Sequence, residues 1–298
     1  MTRVRRWLPG LLLVTPSIVV IGVFVYGMLG WNLRLAMTDR HDEISEGRFV
    51  GLENFITLWD QKRWGISVHH AIVFTAVFVL GALALGWLLA FLMEKGIKGE
   101  GTFRAVYLFP MAVSFVATGV VWRWLMNSGQ AERAVGLNRL FDLLGLDFLQ
   151  WEWFRDPDWG MAAMAIPAIW QMSGYVMALF LAGFRGVPEE LREAARVDGC
   201  TEWQVYRHVV LPLLRPVTLS ALIILGHISL KVFDLIVAVS GKQIITDVPA
   251  VFMWVAVFDS HDPAKGATIA SYIVLAVSLF VVPYLVWTLR KERGGRRS

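Results

Sequence analysis

Long apolar segments without a charged side chain limit the possible folds of this chain more than any other feature. Ala71–Met93 is the clearest of them, because a helix needs about 20 residues to cross the hydrocarbon core of a bilayer. Segments of this length predict helices and not the short alternating strands of a membrane barrel. In chain order, the six predicted spans are Trp7–Leu33, Ala71–Met93, Ala105–Trp122, Trp159–Phe184, Pro216–Ser240 and Gly266–Leu289. We therefore expect an all-α membrane protein with six transmembrane helices.

The composition excludes the soluble globular and the disordered classes of protein. Hydrophobic residues make up 56% of the chain and charged residues 17%, whereas a soluble domain carries about 25% charged residues. A disordered chain has low hydrophobicity, which is the opposite of this composition. The single cysteine, Cys200, leaves no internal disulfide, so a disulfide-stapled secreted domain is also excluded.

The distribution of Lys and Arg predicts the orientation of the spans. Sixteen of the 28 basic residues lie on the side of the N-terminus and nine on the other side, and cytoplasmic segments carry the excess of positive charge. Both termini are therefore expected in the cytoplasm. Arg3, Arg5 and Arg6 precede the first span, as in a signal peptide, but that span is too long and lacks a cleavage pattern, so we expect an uncleaved helix. The net charge of +4 follows from this bias and requires no nucleic-acid partner.

The outer segment at residues 127–158 is too apolar for an ordinary solvated loop. It contains Phe148, Leu149, Trp151 and Trp153 within a short stretch. The sequence leaves open whether it forms a short interfacial helix, a docking surface for another protein, or part of the aromatic belt at the lipid headgroups.

The cytoplasmic segment between the fourth and fifth spans begins with a helix pattern. Pro188 suits the first turn of a helix, and Glu189 and Glu190 suit its positive end. This short helix is expected to end at Asp198-Gly199, which is a turn signal.

A second helix pattern follows this turn. Thr201 and Gln204 have the spacing of a capping box, and Leu211-Pro212 is expected to end the helix before the fifth span. The segment therefore predicts two short helices joined by a tight glycine turn. From the pattern alone, this pair could either fit a groove of a partner or rest on lipid headgroups.

This segment resembles the signature loop of the inner-membrane permeases of binding-protein-dependent ABC importers. That signature reads Glu-Ala-Ala, then Asp-Gly, then Leu-Pro about a dozen residues further on. The matching residues in this sequence are Glu193, Ala194, Ala195, Asp198, Gly199, Leu211 and Pro212. Cys200 and Tyr206 depart from it, since Ala and Phe are more usual there.

In that family the loop docks in a cleft of a separate ATP-hydrolysing subunit and transmits its closure. The resemblance therefore implies that Glu193 places a carboxylate at the ATPase contact and that Gly199 allows the backbone conformation of the turn. The alternative for Glu193 is a local ion pair with Arg196, three residues away, and Glu189 could pair with Arg192 in the same way.

Other fragments resemble the carbohydrate branch of this family, in particular the first permease of maltose- and glycerol-phosphate-type importers. These fragments are Gly51-Leu52-Glu53-Asn54-Phe55, Phe103-Arg104 before Leu108-Phe109-Pro110, Val121-Trp122-Arg123-Trp124-Leu125, Gly136-Leu137-Asn138 and Leu230-Lys231-Val232-Phe233-Asp234. The resemblance implies the type I ABC importer permease fold. It divides the chain into residues 1–66 (N-terminus, first span and first outer loop), 67–290 (the permease domain, with its coupling loop at 186–212) and 291–298 (a basic tail).

The resemblance also implies the partners of the chain. They are a second homologous permease, a dimer of ATP-binding subunits that holds ATP and Mg, a periplasmic or lipid-anchored solute-binding protein, a sugar, and the lipid of a bacterial inner membrane. This chain is expected to hold no cofactor and to catalyse no covalent chemistry. It lacks a phosphate-binding G-x-x-x-x-G-K-[ST] motif, a G-x-S-x-G nucleophile element and metal-ligand spacing among its six His.

The fourth span carries a polar and aromatic patch near its middle. The patch consists of Trp170, Gln171, Ser173 and Tyr175. Aromatic faces beside hydrogen-bonding groups suit a sugar, so these residues are candidates for the substrate pathway. The alternative is ordinary helix packing, with Gly174 allowing a close approach.

Lys231 and Asp234 interrupt the fifth span. A charge inside a membrane helix is costly and normally faces a pathway or a partner. The two residues are three apart and are expected to share a helix face. They could line the transport route or form a structural pair that fixes this helix against a neighbour.

Three other functions remain as alternatives. The first is an ABC permease for another solute, such as a glycerol phosphodiester, an amino acid or a peptide. An anionic solute would need Arg or Lys in the cavity, and only Lys231 lies deep in a span. An ion-coupled secondary transporter would need carboxylates within the membrane, and only Asp234 is available. A membrane scaffold or sensor would cause no loss of uptake when removed.

Overall fold

A computed structural model describes residues 13–42, 44, 47–129 and 133–295, and all regular elements within these ranges are helical. An isolated bridge between Thr38 and Phe49 is the one strand-like pairing among them. Arg3, Arg5, Arg6, the start of the first predicted span and the last three residues of the basic tail lie outside the described residues. The helices, in chain order, are α1 (Leu13–Ala36), α2 (Lys62–Glu94), α3 (Glu100–Ala112), α4 (Phe115–Leu125), α5 (Gly136–Leu143), α6 (Ala165–Arg185), α7 (Glu189–Val197), α8 (Glu202–Leu213), α9 (Arg215–Leu230), α10 (Asp234–Ser240), α11 (Pro249–Asp259) and α12 (Pro263–Gly295).

Four helices among the described residues are long and apolar enough to cross a membrane. They are α1, α2, α6 together with the short turn before it, and α12 as far as Val286. Two bent pairs, α3 with α4 and α8 with α9, bring the number to six if each pair forms one span. The all-α membrane class is therefore confirmed.

The third predicted span is not one continuous helix. The axes of α3 and α4 differ by 99° at a break after Ala112. Pro110 lies in the last turn of α3, where its missing N–H weakens the hydrogen-bond ladder. Ser114 then begins α4 as its N-cap, and its Oγ accepts a hydrogen bond from the backbone N–H of Ala117 at 3.2 Å.

The fifth predicted span is also divided. α9 ends at Leu230 and α10 begins at Asp234. The expectation that Lys231 and Asp234 share one helix face is therefore wrong, because the chain between them is not helical. The second helix of the loop, which the sequence predicts to end at Leu211-Pro212, continues to Leu213. A bend of 59° then leads from this helix, α8, into α9.

The chain forms two compact units, and the first comprises residues 1–64 and 252–275. Within it, the amide of Asn54 donates hydrogen bonds to the carbonyls of Ala36 (2.9 Å) and Thr38 (2.7 Å). These bonds hold the turn after α1. Asn32 of α1 donates to the carbonyl of Ala267 in α12 at 3.1 Å, so one polar side chain connects these two helices.

The second unit comprises residues 65–251 and 276–298 and contains the main apolar core. Phe74 and Phe78 of α2 stack there at 5.6 Å between ring centroids. Further along the same helices, the rings of Trp87 of α2 and Phe184 of α6 lie 6.3 Å apart. The backbones of α3 and α6 come very close at Gly174, where an added Cβ would lie 1.8 Å from the carbonyl oxygen of Tyr107.

In the segment at residues 127–158, which the sequence predicts on the outer side, the described residues fold around the buried side chain of Asn138. Its amide nitrogen donates to the carbonyls of Asn127, Gly129 and Trp151, and its oxygen accepts from the indole N–H of Trp153 at 2.8 Å. The segment contains the short helix α5, which exposes Leu140 and Leu143, and it exposes Leu144 and Phe148 after this helix. These side chains form one apolar face. Whether this face rests on lipid headgroups or docks a protein stays a prediction.

We expect Asn138→Ala to open this outer segment. Each buried polar group left without a partner costs about 1–3 kcal/mol, and the substitution removes every bond that Asn138 makes. The measurement is limited trypsin digestion of the purified protein, with cleavage at Arg139 and Arg155 as the signal. Gln150→Ala is the matched control, because it removes only an exposed hydrogen bond to Asp147. Equal cleavage rates for the two variants would contradict the role of Asn138.

Candidate functional site

The loop between α6 and α9 has the geometry that its sequence predicts. Pro188 precedes α7, whose first turn carries Glu189 and Glu190. Thr201 and Gln204 form both hydrogen bonds of a capping box at the start of α8. Two short helices, α7 and α8, therefore follow each other in the chain and are joined by four residues.

Gly199 provides the turn between these helices. Its φ is +85°, in the left-handed region where a residue with a Cβ is penalised by about 1–2 kcal/mol. No atom lies within 4 Å of the position that a Cβ would occupy. The glycine is therefore required by the backbone conformation and not by lack of space within this chain.

α7 presents an exposed surface of small, apolar and acidic side chains. Glu193, Ala194 and Asp198 are exposed, and Val197 is 87% exposed. Ala195 is half-buried and packs against the core. At the other end of the signature, Leu211 is exposed and Pro212 is half-buried. The predicted coupling residues thus lie on one loop, with the Glu-Ala and Asp-Gly parts at its surface.

The local spacing suggests two ion pairs in the loop, and one of them is present: Arg192 pairs with Glu189, with 3.8 Å between Nε and Oε2. Arg196 forms ion pairs with Glu189 at 3.0 Å and with Glu202 at 2.8 Å, and these hydrogen bonds raise the pKa of Arg196. Glu193 forms no ion pair or side-chain hydrogen bond within the described residues. The local pair of Glu193 with Arg196 is therefore wrong, and the Glu193 carboxylate stays available to a partner.

A buried polar cluster connects the loop to the spanning helices, and sequence reasoning missed it. Arg192 of α7 pairs with Glu94 at the end of α2, with 2.6 Å between Nη2 and Oε1. Glu94 also accepts a hydrogen bond from the hydroxyl of Tyr206 in α8. Arg192 donates to the carbonyl of Phe184 at the end of α6 at 3.0 Å. We call Glu94, Arg192 and Tyr206 the anchor cluster.

The anchor cluster is well shielded from solvent. The side chains of Glu94 and Arg192 are 7% and 11% exposed. Burial by itself would lower the pKa of Arg192, but the hydrogen bond and the charge of Glu94 outweigh it and raise that pKa. The arginine is therefore charged at every physiological pH. A cavity of about 900 Å³ adjoins the cluster, with these three side chains in its wall.

One sequence signal could have indicated Glu94. It is the first charged residue after the charge-free segment of α2, followed directly by Lys95 and Gly96. Its partners lie about a hundred residues further along the chain, so no local pattern identifies them.

The substrate-pathway candidates of α6 differ in their surroundings. Trp170 is 40% exposed, and its ring lies 6.0 Å from that of Trp122. Gln171 is 2% exposed and donates to the carbonyl of Val113 at 2.6 Å. Ser173 is buried and donates to the carbonyl of Trp170 within the helix, and Tyr175 is half-buried.

Gln171 has a clear structural partner in this arrangement. Val113 lies at the break between α3 and α4, where the helix ladder is interrupted and leaves carbonyls without helical donors. The amide of Gln171 supplies one such donor. The sequence showed the polar residue but not the break that it stabilises.

The candidates in the fifth span lie on the two sides of its break. Lys231 directly follows α9 and Asp234 begins α10, and both are exposed. No ion pair joins them in the described part of the chain, so the structural pair considered above is absent there. Their role in transport stays a prediction.

Comparison with known proteins assigns the family. Residues 82–289 match the family described as the binding-protein-dependent transport system inner membrane component. The chain belongs to this family. A probable ABC transporter permease protein of Pyrococcus horikoshii is 38% identical over 95% of this chain and 96% of that protein. The xylose/arabinose import permease protein XacH of Haloferax volcanii is 30% identical over 93% of this chain and 86% of that protein.

A solved structure confirms the fold. The crystal structure of a bacterial alginate ABC transporter, in complex with an alginate pentasaccharide-bound periplasmic protein, contains a chain that is similar to this permease. The TM-score is 0.77 at 18% identity, over 94% of this chain and 93% of that chain. The prediction of a type I ABC importer permease fold is therefore confirmed, and so is the membership in the permease family that the loop signature indicated.

Proposed function

We propose that this permease is the transmembrane subunit of an ATP-driven importer that moves a mono- or small oligosaccharide from a solute-binding protein into the cytoplasm. The observation that carries this proposal is the loop around Gly199, which exposes Glu193 and Val197 in a two-helix form suited to a cleft. The sugar is supported by the xylose/arabinose import permease of Haloferax volcanii, which is similar over 93% of this chain.

The proposal includes six spans with both termini in the cytoplasm. The two bent pairs, α3 with α4 and α8 with α9, supply the fifth and sixth crossings. The excess of Lys and Arg on the side of the N-terminus supports the orientation. The location is the inner membrane of a bacterium, or the corresponding membrane of an archaeon, since two similar permeases come from archaea.

In the proposed cycle, the covalent chemistry takes place on other chains. A dimer of ATP-binding subunits holds ATP and Mg, and its closure moves the coupling loop formed by Glu193, Ala194, Ala195, Asp198 and Gly199. The cavity between this chain and a second, homologous permease then turns outward and receives the sugar from the solute-binding protein. Hydrolysis of ATP resets the cavity. This chain contributes the pore wall and the loop, and it holds no cofactor.

The sugar pathway is proposed to follow the aromatic and polar side chains of α6 and the break in the fifth span. Trp170 is the part of the α6 patch with exposed aromatic surface, which suits the apolar face of a sugar ring. Lys231 and Asp234 are exposed at the break and offer hydrogen bonds to hydroxyl groups. Gln171 and Ser173 donate hydrogen bonds to backbone carbonyls and act by shaping the wall.

Uptake of labelled solutes in cells that lack this chain tests the proposal. We expect the uptake of one sugar to be lost and to return with the native chain. The panel contains monosaccharides, disaccharides and glycerol phosphodiesters. If only the uptake of a glycerol phosphodiester is lost, the transported solute is that phosphodiester and not a sugar. Uptake that stops with an uncoupler but survives ATP depletion would instead indicate a secondary transporter, and unchanged uptake of every solute would contradict a transport role.

A further inference from the structure

Glu94 carries a charge at the end of an apolar span, but its side chain does not extend into solvent. It follows an apolar span directly, yet its side chain is 7% exposed and lies inside the protein. Burying a charge is costly unless the charge is paired and hydrogen-bonded. Glu94 meets this condition with the guanidinium of Arg192 and the hydroxyl of Tyr206.

The anchor cluster joins four separate elements. Glu94 belongs to α2, Arg192 to α7 and Tyr206 to α8, and the carbonyl that Arg192 also binds belongs to Phe184 at the end of α6. The guanidinium carbon lies 5.9 Å from the centre of the Tyr206 ring. Both helices of the coupling loop are thus held to one carboxylate on a spanning helix.

Arg192 and Glu193 are neighbours on α7 with opposite surroundings. Arg192 is 11% exposed and points into the anchor cluster, whereas Glu193 is exposed on the surface of the loop. A displacement of α7 by a protein bound at Glu193 therefore acts on Arg192 and, through the ion pair, on the end of α2.

We propose that Glu94 is a positioning residue that holds the coupling loop to α2, so that movement of the loop becomes movement of the spanning helix. This inference rests on the proposed function, because it requires a partner that moves the loop. Apolar contacts of Val205 and Val210 also hold the loop to the core, but they allow sliding, whereas a charged pair with fixed partners does not.

The other ion pairs on this side of the chain connect different elements. Arg196 joins Glu189 and Glu202, which all belong to the loop itself. Arg185 pairs with Glu100 at 2.7 Å and joins α6 to α3, with side chains that are 45% and 22% exposed. Neither pair connects the loop to α2, so Glu100→Gln is a matched control for Glu94→Gln.

The test uses the complete transporter in vesicles, with the permease pair, the ATPase dimer and the binding protein. The measured quantity is the amount of solute transported per ATP hydrolysed, for the solute found in the uptake panel. We expect Glu94→Gln to lower this ratio by about 2- to 30-fold, the range for substitutions that lie between coupled sites without touching either ligand. Glu100→Gln should leave it unchanged, and the amount of co-purified ATPase should stay the same for both variants.

Tyr206→Phe gives a milder second variant that keeps the ring and removes one hydrogen bond to Glu94. Tyr206→Phe should also lower the amount of solute transported per ATP hydrolysed. It tests the role of Glu94 if the Glu94→Gln transporter does not assemble. If the native complex transports and the assembled Glu94→Gln complex has the same ratio, the proposed role of Glu94 is overturned. The same holds for Tyr206→Phe where Glu94→Gln does not assemble. A native complex that binds no ATPase and transports no solute would overturn the proposed function itself, and this inference with it.

Discussion

Gly174→Ala is expected to prevent the native packing of α3 against α6. The added Cβ would lie 1.8 Å from the carbonyl oxygen of Tyr107 and 2.7 Å from its carbonyl carbon. Both atoms belong to the backbone, so no side-chain rotation relieves the overlap and one helix must move. Overpacking that forces backbone shifts costs about 1–3 kcal/mol and occasionally more, and a backbone overlap of this size belongs at the upper end of that range.

The effect of Gly174→Ala should spread to the break in the third span. Gln171 lies one turn before Gly174 on α6, and its amide holds the carbonyl of Val113. Separation of the two helices removes this bond as well. We expect a low yield of folded protein in detergent and a lower midpoint of thermal unfolding.

Gly226→Ala is the matched control for this substitution. Gly226 lies inside α9, and an added Cβ there would meet only ring carbons of Phe280 at 3.5 Å, an ordinary contact. Both variants place alanine inside a membrane helix, so they differ only in the space available. A Gly174→Ala protein that unfolds at the same temperature as Gly226→Ala would contradict the close approach of α3 and α6.

The sequence predicts those parts of the fold that depend on local patterns. The apolar segments predict the all-α membrane class, because each has about the length that crosses a bilayer. The capping box of Thr201 and the turn at Gly199 are visible because their partners lie within a few residues. The candidate coupling residues are indicated by the resemblance of this loop to a family signature, because the local pattern alone leaves its role open.

The breaks and the anchor cluster depend on contacts between distant residues and were not predictable in this way. The break after Ala112 is stabilised by Gln171, far along the chain. Glu94 meets Arg192 and Tyr206 only once α2, α7 and α8 have packed together. The spacing of Lys231 and Asp234 predicts one helix face only in a continuous helix, and the chain between these residues is not helical.

Gly199→Trp is expected to abolish uptake of the transported solute while the chain still inserts in the membrane. The φ of +85° penalises any residue with a Cβ, and the indole would project from the turn beside Glu193 and Asp198. Both effects disturb the surface proposed to enter the cleft of the ATPase. The measurement is solute uptake in cells that lack the native chain, together with the amount of ATPase that co-purifies with the variant.

Gly99→Trp separates the coupling role from the backbone strain. Gly99 has a φ of +80°, lies before α3 on the same side of the predicted membrane, and has no atom within 4 Å of an added Cβ. The two substitutions therefore impose similar strain, of about 1–2 kcal/mol, and similar bulk. We expect Gly99→Trp to retain most of the uptake and Gly199→Trp to lose it. Equal uptake by the two variants would mean that the turn at Gly199 serves the fold of the loop and not its contact with an ATPase.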